Sequence, residues 1–121
     1  MAEANCMKTH DILIDSKAAL ERLQNDNDLY REFLIMYHSD APGLLEKLES
    51  SLNPQDIEKA EMAAHSLKST SRTIGADYLG GIAAQIEAAI HDKNLEKAKD
   101  CLPLVKSQFG LVIGEIESII R

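Results

Sequence analysis

His65 is the residue of this 121-residue chain best placed to do chemistry. The run from Ala64 to Ala76, AHSLKSTSRTIGA, sets it beside cations at helical spacing. Ile57, Ala60, Ala64, Leu67, Ser71 and Ile74 recur at alternating steps of three and four, the signature of a buried helical stripe. Each residue turns an α-helix by about 100°, so Glu58, Glu61, His65, Lys68 and Arg72 form a second, parallel row where core meets solvent. The histidine is therefore predicted to be held by packing yet reachable from outside. An imidazole has a reference pKa of about 6.5 and is largely neutral, hence nucleophilic, near pH 7. His10, His38 and His91 lack comparable surroundings and read as surface or satisfied packing histidines. A di-iron type site would need Glu-x-x-His pairs. Glu58 and Glu61 precede His65 by seven and four residues, so no metal site is predicted.

The surrounding elements are all helical. Residues 1–14 are polar and mostly aperiodic and are expected to be a loosely ordered N-terminal segment, after which Asp15 offers a cap for a short helix carrying Ala18, Leu20 and Leu23. From Asn27, the positions Tyr30, Phe33, Leu34, Tyr37, Ala41, Leu44, Leu45, Leu48 and Leu52 keep one face apolar, with Pro42 expected to bend the helix near its middle. Asn53 and Pro54 suit the cap and first position of the His65 helix, and Gly75 suits its left-handed end. Leu79, Ile82, Ala83, Ile86 and Ile90 mark a fourth helix, where Gly80 and Gly81 suggest a close helical neighbour or a tolerant exposed turn. After the polar turn HDKN, Leu102, Val105, Phe109, Val112, Ile113, Ile116 and Ile120 define a last long helix, with Pro103 expected to kink it or break it early.

Four amphipathic helices joined by short turns bury their stripes by packing as antiparallel neighbours. The fold class expected is all-α: an antiparallel up-down-up-down four-helix bundle with a short N-terminal helix, forming one domain over residues 1–121. The composition agrees, with 45% hydrophobic and 27% charged residues but only 4% aromatic and no Trp.

A formal net charge of −7 argues against nucleic acid, because phosphate backbones are bound by basic faces and none is clustered here. Protein partners are favoured instead. No stretch approaches the roughly 20 apolar residues needed to span a bilayer. Cys6 and Cys101 follow no metal-ligand spacing, and two reduced thiols in a cytoplasmic protein is the simplest account of them.

The chain resembles the histidine phosphotransfer (HPt) domains of multistep two-component signalling, whose core motif reads roughly AHxLKG followed by a small polar stretch and GA. Ala64, His65, Leu67, Lys68, Gly75 and Ala76 match it, and the flanking LERLQNDNDLYREFLIMYHSDAPGLLEKLES and YLGGIAAQIE follow the family's pattern. Ser69 departs from it, standing where the family most often has glycine; it is still small, and activity is expected to survive.

The resemblance implies a phosphocarrier. His65 would accept a phosphoryl group from a phosphoaspartate of a receiver domain and pass it to another receiver, and Lys68, at i+3, would stabilise the phosphoryl oxygens. Gln85 would hydrogen-bond the imidazole or the phosphoryl group from the adjacent helix, with Ser69, Arg72 and Met62 close to the phosphoryl group or the partner. The partners implied are receiver domains of hybrid sensor kinases and response regulators. No cofactor is implied for this chain, with Mg²⁺ held by the receiver. The protein is expected to be a cytoplasmic monomer. A non-catalytic adaptor that docks receivers is the alternative, but it fits chains lacking the histidine or its lysine. Kinase dimerisation helices usually carry an acidic residue directly after the histidine; here Ser66 follows, and no glycine-rich phosphate loop is present, so intrinsic kinase or ATPase activity is not expected.

Overall fold

Asp15 opens the first helix by accepting the Ala18 N–H at 3.1 Å. The computed structural model describes residues 12–121. Within that range, α1 (Ser16–Arg22) is followed by α2 (Asn27–Ser50), a single 3₁₀ turn (Pro54–Asp56), α3 (Ile57–Thr73), α4 (Asp77–His91) and α5 (Leu95–Ile120). Two of the long helices, and the 3₁₀ turn that leads into α3, start at capping side chains. Asp26 accepts from the Leu29 N–H at 3.0 Å, Asn53 from the Gln55 and Asp56 N–H groups at 3.0 Å each, and Asn94 from the Lys97 N–H at 3.1 Å. The Asn53–Pro54 opening thus begins with a 3₁₀ turn, and α3 proper starts at Ile57.

Neither internal proline ends its helix. Pro42 lies inside α2 and Pro103 inside α5, and both are exposed. With both prolines on the solvent side of their helices, the bond each removes is lost where water can substitute for it.

The four long helices pack in a ring, α2 against α3, α3 against α4, α4 against α5 and α5 against α2, with α1 against α2. Cross-helix pairs fix the directions. Tyr30 and Tyr37 of α2 bond Ile74 and Ser71 of the α3 end, His65 and Glu61 of α3 pair with Glu87 and His91 of α4, and Arg31, His38 and Glu49 of α2 pair with Ile120, Glu117 and Lys106 of α5. As one number rises its partner falls, so each of these neighbours is antiparallel. The fold is the all-α, up-down-up-down bundle with a short leading helix.

The core is aliphatic, as the composition requires. Leu34, Leu48, Leu67, Ile82, Ile86, Val105 and Ile116 are fully buried. Each such side chain contributes about 1.5–3 kcal/mol by leaving water. Leu13 and Ile14 also pack against the core, and the Asp15 N–H donates to the Gly75 carbonyl at 2.8 Å, so order begins earlier than Asp15. Residues 1–11 of the expected loose segment, with Cys6 and His10, lie outside the described residues. Cys101 is fully buried and disulfide-bonded, which corrects its reading as a reduced thiol. No described helix is long and apolar enough to cross a membrane.

Candidate functional site

The buried stripe of α3, namely Ala60, Ala63, Ala64, Leu67 and Ser71, locks this helix against its neighbours and thereby sets the angle at which its outer row emerges. The end of the helix is equally determined. Gly75 has φ +94°, the Gly75 N–H donates to the Arg72 carbonyl at 3.1 Å and the Ala76 N–H to the Ser71 carbonyl at 2.8 Å, a Schellman closure. Beneath the row, the Tyr37 hydroxyl meets Ser71 Oγ at 2.8 Å and its ring lies 6.0 Å from that of Phe109. Burial pushes the Tyr37 hydroxyl up to about 12, against a smaller opposing effect of the Ser71 bond.

His65 emerges from this scaffold with its side chain 60% exposed. Its Nδ1 lies 2.8 Å from Glu87 Oε2 on α4, and Lys68 Nζ donates to the other oxygen, Oε1, at 2.6 Å. One carboxylate therefore holds both residues. Partial burial raises the affinity of the Glu87 carboxyl for a proton, but the hydrogen bonds and charges of Lys68 and His65 outweigh it and leave the group below its usual range. An ionised carboxylate can only accept, so the proton of a neutral His65 ring sits on Nδ1. Nε2 is then the atom with the free lone pair, and it has no partner among the described residues.

His65 and Lys68 are brought together, but Gln85 is not. Gln85 sits on a different side of α4, with its Oε1 buried and without a hydrogen-bond partner, and the bond to His65 comes from Glu87 instead. Two residues, or about 200° of helix rotation, separate the two positions. A signal for Glu87 existed in the sequence. Gly80, Ala84, Glu87 and His91 recur at steps of four and three on one face of α4, and the small residues on it are those that admit a close helix.

Gly80 shows that closeness directly: a Cβ there would lie 2.7 Å from Arg72 Cγ and 3.3 Å from the Lys68 carbonyl oxygen. Arg72 thus lays its stem across α4. With Glu61, Lys68, Glu87, His91 and Asp92 it lines a polar groove of about 310 Å³ between α3 and α4. His91 and Glu61 pair there at 3.3 Å, and His38 pairs with Glu117 at 2.9 Å on α5, far along the chain from the site. Among the described residues, no three His, Cys, Asp or Glu side chains converge as metal ligands.

Met62 and Ser69, three before and four after His65, share its outward side, Met62 being 71% exposed and Ser69 also exposed. On the other flank of α3, Phe33, Met36, Tyr37, Ala41, Leu44 and Ile74 line an apolar groove of about 210 Å³ against α2. The exposed imidazole thus lies on a face with accessible apolar side chains beside it.

The chain is 26% identical over 114 residues to the histidine-containing phosphotransfer protein 1 of Arabidopsis thaliana, across 90% of this chain and 74% of that protein. The family model described as the Hpt domain matches residues 32–118, from the second turn of α2 to near the end of α5. With the helical bundle, the exposed histidine on α3 and this match, the chain belongs to the Hpt domain family and has a histidine phosphotransfer role in phosphorelays.

Proposed function

We propose that His65 takes a phosphoryl group from the phosphoaspartate of one receiver domain and returns it to the aspartate of another. The observation that carries this reading is the 2.8 Å contact of Nδ1 with Glu87, which leaves Nε2 free on a ring that is 60% exposed. In the forward step the Nε2 lone pair attacks phosphorus, the N–P bond forms, and the P–O bond to the receiver's aspartate breaks as that carboxylate departs. The Nδ1 proton stays where it is. The ring becomes a cation whose charge faces Glu87, so it remains a good leaving group for the reverse step.

Such a transfer asks mainly for positioning and charge stabilisation. Lys68, on the same edge as His65, supplies a cation for the phosphoryl oxygens. Small Ser69 leaves room beside the histidine, and Met62 offers apolar contact to the incoming receiver. The receiver brings the aspartate and the Mg²⁺, and the chain needs no cofactor of its own. It works as a monomer in this reading, without kinase or ATPase activity.

The test is transfer from a ³²P-labelled receiver domain. Label is expected on His65, labile in acid and stable in alkali, with none taken up by His65→Gln or by the wild-type protein given labelled ATP alone. A His65→Gln protein that still took up label would end the reading. A receiver that bound without transferring would make the protein a docking adaptor.

A further inference from the structure

Arg72 is a groove-lining cation whose guanidinium has no hydrogen-bond or ion-pair partner among the described residues. Glu87 is the opposite case, with both oxygens engaged, one by Lys68 and one by His65. These two facts meet when His65 is phosphorylated. As Lys68 turns towards the new phosphoryl oxygens its bond to Glu87 weakens, and a carboxylate only 21% exposed is costly to leave without its cation.

We propose that Arg72 is a positioning residue that takes over the Glu87 carboxylate as Lys68 swings to the phosphoryl group on His65, an inference that rests on His65 being the phosphorylated residue. Helical geometry favours the exchange. Cα–Cβ bonds tilt towards the N-terminus of their own helix. On α3 this leans Arg72 towards Lys68 and His65, and on antiparallel α4 it leans Glu87 towards Ala84 and Gly80. The two side chains therefore incline towards each other along one groove whose floor is Ala84. Gly80 lets the arginine lie low enough to use it, because any Cβ there would collide with Arg72 Cγ. Guanidinium is also the cation best shaped to hold a carboxylate by two parallel bonds.

The experiment uses the full chain and potassium phosphoramidate, a small phosphoryl donor, with His65 occupancy read by mass spectrometry. Arg72→Gln is expected to slow phosphorylation of His65 about tenfold, the scale of one lost bond between charged groups. Arg72→Lys should recover most of the loss. In a Glu87→Gln background, Arg72→Gln should change the rate less than twofold, because the carboxylate it serves is gone. The Arg72 side-chain N–H signals in a ¹H–¹⁵N spectrum should move on phosphorylation of the wild type and stay put in Glu87→Gln. An Arg72→Gln protein as fast as wild type, or a full tenfold loss persisting in the Glu87→Gln background, would overturn the proposal, the second outcome placing the arginine on the phosphoryl group itself. Modification that bypassed His65 altogether would instead remove the phosphocarrier reading beneath it.

Discussion

Glu87 holds His65 by its inner nitrogen: Oε2 stands 2.8 Å from Nδ1, while the same carboxylate takes Lys68 at 2.6 Å. One acidic residue on α4 thereby sets the tautomer of the histidine, aims its free nitrogen outwards and keeps the lysine one turn away within reach. Glu87→Gln keeps the shape and removes the charge. It should slow receiver transfer roughly tenfold, the scale of one charge-assisted hydrogen bond, with helical content in circular dichroism unchanged. A transfer rate equal to wild type would show that the imidazole needs no carboxylate.

The same carboxylate gives a pH dependence of known sign. Its folded pKa lies below the ordinary glutamate value of 4.5, so the stability it contributes is complete above about pH 4.5 and is lost as pH falls through the folded value. Urea unfolding of wild type and Glu87→Gln should therefore differ at pH 5, and the two should converge as pH falls below about 4.5. A gap that stayed unchanged in that acid range would contradict the ion-pair arrangement.

Lys68→Ala removes the cation nearest the phosphoryl position. Transfer to and from His65 is expected to fall by roughly 10²-fold, as when one preorganised donor to a developing charge is lost. Thermal unfolding should move to lower temperature as well, since Glu87, only 21% exposed, loses its cation, while helical content in circular dichroism at low temperature stays unchanged. Receiver binding measured by calorimetry should survive, which separates docking from chemistry.

Tyr37 makes the bundle sensitive to alkali. Its hydroxyl is raised by burial from 10.0 to about 12, so between those values the unfolded chain releases its proton first and stability falls as pH rises. Two units correspond to about 3 kcal/mol. Tyr30 is shifted in the same direction by burial and adds to the slope. Tyr37→Phe should flatten the loss of unfolding free energy above pH 10, at the cost of about 1 kcal/mol at neutral pH for the bond to Ser71. An unchanged alkaline slope would mean that the hydroxyl is not buried as described.

Gly75→Ala tests the closure of α3. The residue has φ +94°, and an added Cβ would lie 2.5 Å from the Asp15 carbonyl oxygen. Left-handed backbone alone costs about 1–2 kcal/mol for a residue with a side chain, and displacing the Asp15 strand of chain adds to it. Denaturant unfolding should report the loss, while transfer by the folded fraction at low temperature should persist.

The sequence alone settled the helices, the buried stripe of α3, the left-handed glycine at its end and the edge on which His65 and Lys68 both lie. These follow from a period of about 3.6 residues and from local capping, which neighbours in the chain decide between themselves. Continuity of α5 through Pro103 did not follow, because the bond that a proline removes is tolerable only where water can reach the carbonyl left over, and that depends on which side the bundle covers. The spacing of Gly80, Ala84, Glu87 and His91 offered Glu87 as the partner of His65 but did not decide it against Gln85. Gln85 and Glu87 stand two residues apart on α4, and the choice between them is a rotation of that helix about its own axis. Packing of Gly80 against Arg72 and burial of Ile82, Ile86 and Ile90 fix that rotation, turning Glu87 to the histidine and Gln85 away. Periodicity gives each helix its face, but only the assembled bundle sets the angle between faces, and the chemistry of this site lies in that angle.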